Sequence, residues 1–350
     1  MDHSKAKASC QGSSDPGRML GQKIHEFKPC QGEIPGSHLW LGLVLSFGER
    51  GGYNNFMCDG LVMLYEPSLR SPALVAGFGG WPNAGEVSSW VITFLIQNLG
   101  GARFAEIRPE SFFDLIQQRP IVTIEGGKVR SVQFPCGTFY AAGPVAGSSR
   151  DLVLFLGQEP HLLWPRFSEL FLEVVKRLGI TEVLTVGGLY DNIPHTVEPR
   201  VSGITNDDQR LERFSELRIR PAHYEGPMSI HTHLLVQAAS MGLPATSIWG
   251  HVPYYIQSNN AKTSLAILER LQSLLGIRLD LREVRRASQI LDEEVERIVQ
   301  DKPELRQYIQ SLEKEYFADE NLPPSFQRPI RRAPAAGDKV IHIDPFLRKG

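Results

Sequence analysis

Cysteine is scarce in this chain: four residues in 350, at positions 10, 30, 58 and 136, with no pair in CxxC spacing. That excludes a disulfide framework and a cysteine-based metal cluster. Net charge is equally small, since 37 Lys and Arg face 39 Asp and Glu for a balance of -2. Without a basic field, nucleic acid is not an expected ligand. Long apolar runs are missing too. The longest near the N-terminus, Leu39 to Phe47, is too short to span a bilayer. The opening residues lack the basic-then-apolar layout of a signal peptide, so a cytoplasmic protein with no membrane partner is expected. The familiar catalytic motifs are absent as well: no GxSxG elbow, no GxGxxG fingerprint and no Walker A loop.

What is present is a layout repeated four times. A short apolar run is followed by a turn rich in Gly, Pro, aromatics and single carboxylates. The runs begin at Ala73 (ALVAGF, then GGWPNAGE), Leu152 (LVLFL, then GQEPHLLW), Val183 (VLTV, then GGLYDNIPHT) and Ala245 (ATSIW, then GHVPYY). Each run is strand-length and lacks polar alternation, as a strand buried on both faces does. Four such strands predict a parallel sheet covered by helices, with their C-terminal loops lining one crevice.

Between the runs, helices are predicted over about 86–98, 165–178 and 229–241, the last capped by Ser229. The stretch 102–145 reads as strand-rich, with a hairpin turning at Glu125-Gly126-Gly127-Lys128. Residues 199–214 read as a polar insert. Amphipathic helices follow over 261–275 and 281–300, then a last one from Pro303 to Phe317 with Asp301 as its N-cap. Residues 1–62 are expected to be a disordered extension, with Met63 or Met57 the biological start. The α/β core spans 63–258, its helical C-terminal part 259–317, and 318–350 is an unstructured tail.

The crevice residues admit several chemistries. The glycines from Gly77 to Gly85 could offer backbone amides to an anion, but Trp81 and Pro82 crowd the turn and Glu86 opposes a negative ligand. A tight structural turn is the plainer reading. Asp191, His195 and Thr196 share one loop and could orient a general base, although only Ser229 is near enough to act as nucleophile, and it reads better as a helix cap. His231 and His233 point to different faces of a helix and do not share a metal. Glu159 and Glu225 could act as an acid/base pair, or each could lock its own loop through backbone amides. Trp81, Trp164, Trp249, Tyr254 and Tyr255 suit a small apolar ligand, a protein hot spot or a plug of core. No cofactor and no metal are expected.

Several of these segments carry a family resemblance. Phe78-Gly79-Gly80-Trp81-Pro82-Asn83-Ala84-Gly85-Glu86 resembles the F-x-G-W-x-D-A-G element of the PAC2 family, the family of proteasome assembly chaperones and their archaeal and bacterial relatives. Gly157-Gln158-Glu159-Pro160 with Trp164, Gly188-Leu189-Tyr190-Asp191 with Pro194-His195-Thr196, Tyr224-Glu225-Gly226-Pro227, and Trp249 with Val252-Pro253-Tyr254-Tyr255 are similar to later family motifs in order. The resemblance covers about Met63 to Phe317. It implies a three-layer α/β/α sandwich similar to nucleoside phosphorylases, with a helical C-terminal extension. It further implies a homo-oligomer that scaffolds or chaperones protein assembly. Two departures stand out: Asn83 replaces the usual Asp, and the chain ends Phe346-Leu347-Arg348-Lys349-Gly350 without the hydrophobic-Tyr-any ending of relatives that dock on the proteasome. The first expectation is thus a non-catalytic scaffold with a possible protein client. The second is a binding protein or enzyme for a nucleoside-like or phosphorylated ligand, with Trp81, Asn83, Glu86, Glu159, Trp164, Asp191, His195, Thr196, Glu225 and Tyr254 as the candidate crevice in either case.

Overall fold

The structure, a computed structural model, describes residues 60–145 and 147–320. The expected N-terminal extension (bar Gly60 to Val62), both candidate start sites except Met63, and the tail beyond Glu320 lie outside the described residues. The described residues fall in two units: 120–133, and 60–119 with 134–320.

The larger unit holds a nine-stranded sheet. Its strands are β1 (Leu61–Met63), β2 (Ala73–Gly79), β3 (Ala102–Ile107), β6 (Gly137–Ala142), β7 (Leu152–Gln158), β8 (Glu182–Asp191), β9 (Val201–Thr205), β10 (Arg220–Pro221) and β11 (Ala245–Pro253). In space the order is β1-β3-β6-β7-β2-β8-β11-β9-β10. The four apolar runs are four neighbours, β7, β2, β8 and β11, and their pairings with one another are parallel. Their C-terminal ends therefore emerge at one edge. Regular pairing is already in place at Leu61, opposite Ile107, two residues before the start read from the sequence.

Burial on both faces explains the apolar runs. Ala73, Val75, Leu152, Leu154, Leu184, Val186 and Ile248 pack against helices α1 (Val87–Asn98) and α5 (Ala261–Leu275). The alternating residues Leu74, Ala76, Phe78, Val153, Phe155 and Val183 pack against α2 (Trp164–Arg177) and α4 (Ile230–Ser240). Three layers result, with a sheet flanked by helices. Close approach of α1 to β2 is what Gly77 permits: a Cβ there would lie 2.5 Å from the Ile92 side chain and 2.6 Å from the Ser88 carbonyl. Ser88 Oγ in turn accepts the Phe78 N–H (2.8 Å) and donates to the Val186 carbonyl, satisfying backbone groups where β2 and β8 part.

Two details differ from the sequence reading. The polar insert is not an insert: Val201–Thr205 forms β9 and pairs antiparallel with β11, and Asp208–Glu212 forms the short helix α3. Asp301 does not cap the last helix. It closes the C-terminus of α6 (Arg282–Gln300), and α7 runs from Pro303 to Glu320. These two helices bury Leu291, Val295, Ile298, Leu305 and Ile309 together with Tyr255 and Ile256, residues that follow β11.

The smaller unit contributes one described element, a two-stranded ribbon of β4 (Ile121–Glu125) and β5 (Lys128–Gln133) turning through Gly126 and Gly127. Both glycines have positive φ (57° and 76°), the left-handed conformation that a type I′ turn requires at both central positions.

Candidate functional site

The turn after β2 is the first candidate, and its amides are already engaged. Asn83 N–H donates to the Gly80 carbonyl, Glu86 N–H to Asn83 (3.0 Å), and Gly85 N–H to the Tyr190 hydroxyl (3.3 Å). Gly188 N–H donates to Pro82 (2.8 Å), stapling the turn to β8. Asn83 accepts the Ser89 N–H with Oδ1 (3.0 Å) and donates from Nδ2 to the Ser89 hydroxyl (2.9 Å). It therefore caps α1 from across the turn, a task that needs an acceptor oxygen and no charge. Glu86 is exposed with φ 57°. The turn is a locked corner; its donors are spent on the protein itself.

Glu159 occupies the neighbouring strand end. Its N–H donates to Gly79 (2.9 Å), and its carboxylate accepts the N–H of Ile230 at the start of α4 (3.0 Å) and that of Trp81. Burial pushes its carboxyl above the usual range, and these two amides pull the other way. Ser229 caps the same helix by accepting the Thr232 N–H (3.3 Å). Trp164 donates from Nε1 to the Pro160 carbonyl (2.6 Å) and lies against His233. Glu225 stays exposed on the loop before α4. Glu159 is thus tied to backbone, at the junction of the β2 turn, the β7 loop and α4.

The loop after β8 separates Asp191 from His195. Asp191 Oδ2 meets His251 Nδ1 at 2.7 Å, and His251 Nε2 meets Ser202 Oγ at 2.8 Å. Arg200 approaches the same carboxylate at 3.5 Å. Burial alone would raise Asp191; its hydrogen bond with His251, and attraction to His251 and Arg200, hold it below the usual range. These are the distances of a Ser-His-Asp relay. Yet the three residues are only 3%, 1% and 6% exposed in that order, and Ser202 sits mid-strand, paired with Trp249. The relay is a buried strut joining β9, β11 and β8.

His195 faces the C-terminal helices instead. The Tyr255 hydroxyl accepts the His195 N–H (2.7 Å) and lies 2.8 Å from Nδ1, so it donates its own proton there. Nδ1 is therefore the acceptor, and Nε2 carries the proton toward Glu296 (3.2 Å). Burial lowers the His195 pKa, with Glu296 opposing. Thr196 donates to Glu313 (2.6 Å), Lys262 donates to the His195 carbonyl (2.5 Å) and pairs with Asp292 (3.0 Å), and Arg200 stacks over Tyr316 at 5.1 Å. Tyr254 donates its N–H to the Asp191 carbonyl and meets Tyr190 edge-on. Helices α6 and α7 close over this half of the crevice. The space left among Ile193, His195, His251, Lys262, Thr263 and Asp292 holds about one water molecule.

The other half stays open and apolar. Trp81 is 63% exposed, and Leu162, Leu163, Tyr224 and Met228 are each at least half exposed. Beneath them His231 is fully buried between Phe78 and Trp249 (ring centroids 5.3 and 4.9 Å), with neither ring nitrogen hydrogen-bonded. Burial lowers its pKa to about 3. Sequence reasoning missed two things here. It paired Asp191 with His195 by loop proximity, although parallel pairing in register sets Asp191 opposite Pro253, two residues past His251. It also gave no sign that Leu162, Leu163 and Met228 are left as exposed as Trp81.

Among the described residues no group of three or more His, Cys, Asp or Glu is placed to hold a metal ion, and no helix is long and apolar enough to cross a membrane.

These features define a class: a three-layer α/β protein whose strand-end crevice is filled on one side by its own helices and open as an apolar edge on the other. The chain belongs to the PAC2 family, whose profile matches residues 77–299. A PAC2 family protein from Streptomyces avermitilis is 31% identical, with a TM-score of 0.62, covering 68% of this chain and 99% of that one. A Mycobacterium tuberculosis proteasome-assembly chaperone homologue is 28% identical, with a TM-score of 0.63 and the same coverage of both chains. Pyrococcus furiosus PbaB, an archaeal proteasome activator, shares the fold at 21% identity and a TM-score of 0.55, covering 68% of this chain and 97% of PbaB. A search of curated proteins finds no match.

Proposed function

We propose that this protein is a non-catalytic, oligomeric scaffold or assembly chaperone of the cytoplasm, working in proteasome-related assembly. The observation that carries the reading is the division of the strand-end edge. Asn83, Glu159, Asp191, His195 and Thr196 are bonded within the fold, while Trp81, Leu162, Leu163, Tyr224 and Met228 face water. Exposed large apolar side chains beside a locked backbone suit a protein partner. The kinship with a proteasome-assembly chaperone homologue supplies the process. A small-ligand crevice is disfavoured, because the amides of the β2 turn and the carboxylate of Glu159 already have partners.

Native mass spectrometry of protein purified gently from its host tests this. The expected result is a defined assembly of copies or of copies with a client, lost in Trp81→Asp and with no small molecule retained. A stoichiometric small molecule, or an assembly indifferent to Trp81→Asp, overturns it.

A further inference from the structure

Helix α7 rests on an apolar seat and a polar clasp that meet at one side chain, Tyr255. Leu305, Ile309 and Leu312 are its buried residues among those described, and their spacing puts them on one helix face. They join Val295, Ile298 and Val299 of α6, with Tyr255 and Ile256, in a cluster separate from the two that line the sheet. The Tyr308 ring meets the Tyr255 ring edge-on at 6.1 Å.

The Tyr255 hydroxyl holds the loop after β8. It accepts the His195 N–H (2.7 Å) and donates to Nδ1 (2.8 Å), while Nε2–H points to Glu296 of α6 (3.2 Å). The next residue, Thr196, donates to Glu313 of α7 (2.6 Å), and Arg200 lies over the Tyr316 ring of α7 at 5.1 Å. This pattern needs a neutral imidazole. A second proton would sit on Nδ1 and face the hydroxyl proton of Tyr255, donor against donor. Tyr255 is fully buried, so turning its proton aside leaves that proton unmet. A shift of the loop is the other way out, and it draws Thr196 off Glu313.

Charged and titratable groups face this ring and its Tyr255 partner from every side. They are Glu296 and Asp292 from α6, Tyr308 and Glu313 from α7, Lys262 from α5, and His251 from β11, with Asp191 and Arg200 behind His251. Burial opposes a charge on the ring most strongly. Glu296 and Asp292 favour it, Lys262 opposes it, and the balance keeps His195 neutral below its ordinary range.

We propose that α7 is a strap released by acid: protonation of His195 loosens the clasp, and α7 lifts from its seat while the sheet stays folded. Lifting uncovers Tyr255, Ile256 and the apolar face of α6 beside the strand ends, the half of the crevice away from Trp81. The sign follows from linkage. With α7 lifted, His195 returns to water and its ordinary pKa of 6.5. The strap is therefore fully seated above pH 6.5 and is lost as the pH falls, and the lifted fraction rises up to about tenfold between pH 7.5 and pH 5.5.

Hydrogen exchange of the full chain, read peptide by peptide at these two pH values and corrected for intrinsic exchange, tests this. In wild type, α7 is expected to open more often than α1 and α2, and its protection to fall by up to about tenfold at pH 5.5. In His195→Gln, which does not titrate, α7 protection should be equal at both pH values. Thr196→Val, at an exposed position, should lower protection in α7 alone at both pH values and keep the wild-type pH response. The acid penalty of His231 falls on the whole fold and is common to all three chains. Protection of α7 equal to that of α1 and α2, or the same pH response in wild type and His195→Gln, overturns the proposal. Should circular dichroism show His195→Gln unfolded, the other two chains decide. A wild-type α7 indifferent to pH, or a Thr196→Val loss that spreads to α1 and α2, then overturns it.

Discussion

Replacing His231 with leucine should raise stability and remove a pH dependence. The imidazole is fully buried, and neither of its nitrogens has a hydrogen-bond partner. A neutral imidazole always carries one N–H, so burial leaves that donor unmet at a cost of about 1–3 kcal/mol. Charging it is worse, and burial lowers the pKa from the ordinary 6.5 to about 3. The unfolded chain takes up a proton below pH 6.5 that the folded one refuses until far lower. The stability is therefore complete above pH 6.5 and is lost as the pH falls. Between pH 7 and pH 5 the loss from this one residue is about 2 kcal/mol. Leucine fills similar space against Phe78 and Trp249 and titrates nothing. Urea unfolding at both pH values measures the effect. His231→Leu should be more stable by about 1 kcal/mol or more at pH 7, with a gap about 2 kcal/mol wider at pH 5. Other buried histidines, His195 among them, cancel in the difference. An equal gap at both pH values, or a variant less stable than wild type throughout, would refute the reasoning.

Gly77→Ala should cost about 1–3 kcal/mol by pushing α1 off β2, seen as a lower urea midpoint with an unchanged slope. Asp191→Asn strips His251 and Arg200 of their buried carboxylate and should cost about 3–5 kcal/mol. Ser202→Ala, which removes the far end of the same chain, should cost about 1 kcal/mol, and equal losses for the two would contradict the strut. Asp191, held below its ordinary pKa, stabilises the fold above about pH 4, so the Asn penalty should fade as acid protonates the wild type. Glu159 has the opposite sign. Its pKa is raised, so the ionised form is what folding disfavours, and Glu159→Gln should raise the thermal midpoint at pH 7 with the gain vanishing toward the ordinary carboxylate range.

The central sheet could be read in advance because of where it lies. A strand covered by helices on both sides has no face for polar residues, so β7, β2, β8 and β11 declare themselves as apolar runs. Strand β9 did not. Its sequence VSGIT alternates toward the end of the sheet, where Ser202 is kept polar by its bond to His251, and a short polar-flanked segment of that kind reads as an insert. The ribbon turn was legible because Gly126-Gly127 is a local signal. The apolar face it creates was not, since a register shift, invisible in local spacing, puts Val129 opposite Ile124.

For this protein the amino-acid sequence by itself determined the layers, the parallel core and the single edge to which the unusual turns converge. Those follow from periodicity and turn chemistry, which act over a few residues. Tertiary structure alone decided what happens at that edge. Asp191 takes a partner 60 residues away, His195 meets Glu296 across 101 residues, and Thr196 meets Glu313 across 117. The first depends on the register of β8 against β11, and the other two on how α6 and α7 fold back over the strand ends. Packing at this range gives Asp191, His195 and Thr196 their partners and leaves Trp81, Leu162, Leu163 and Met228 facing water.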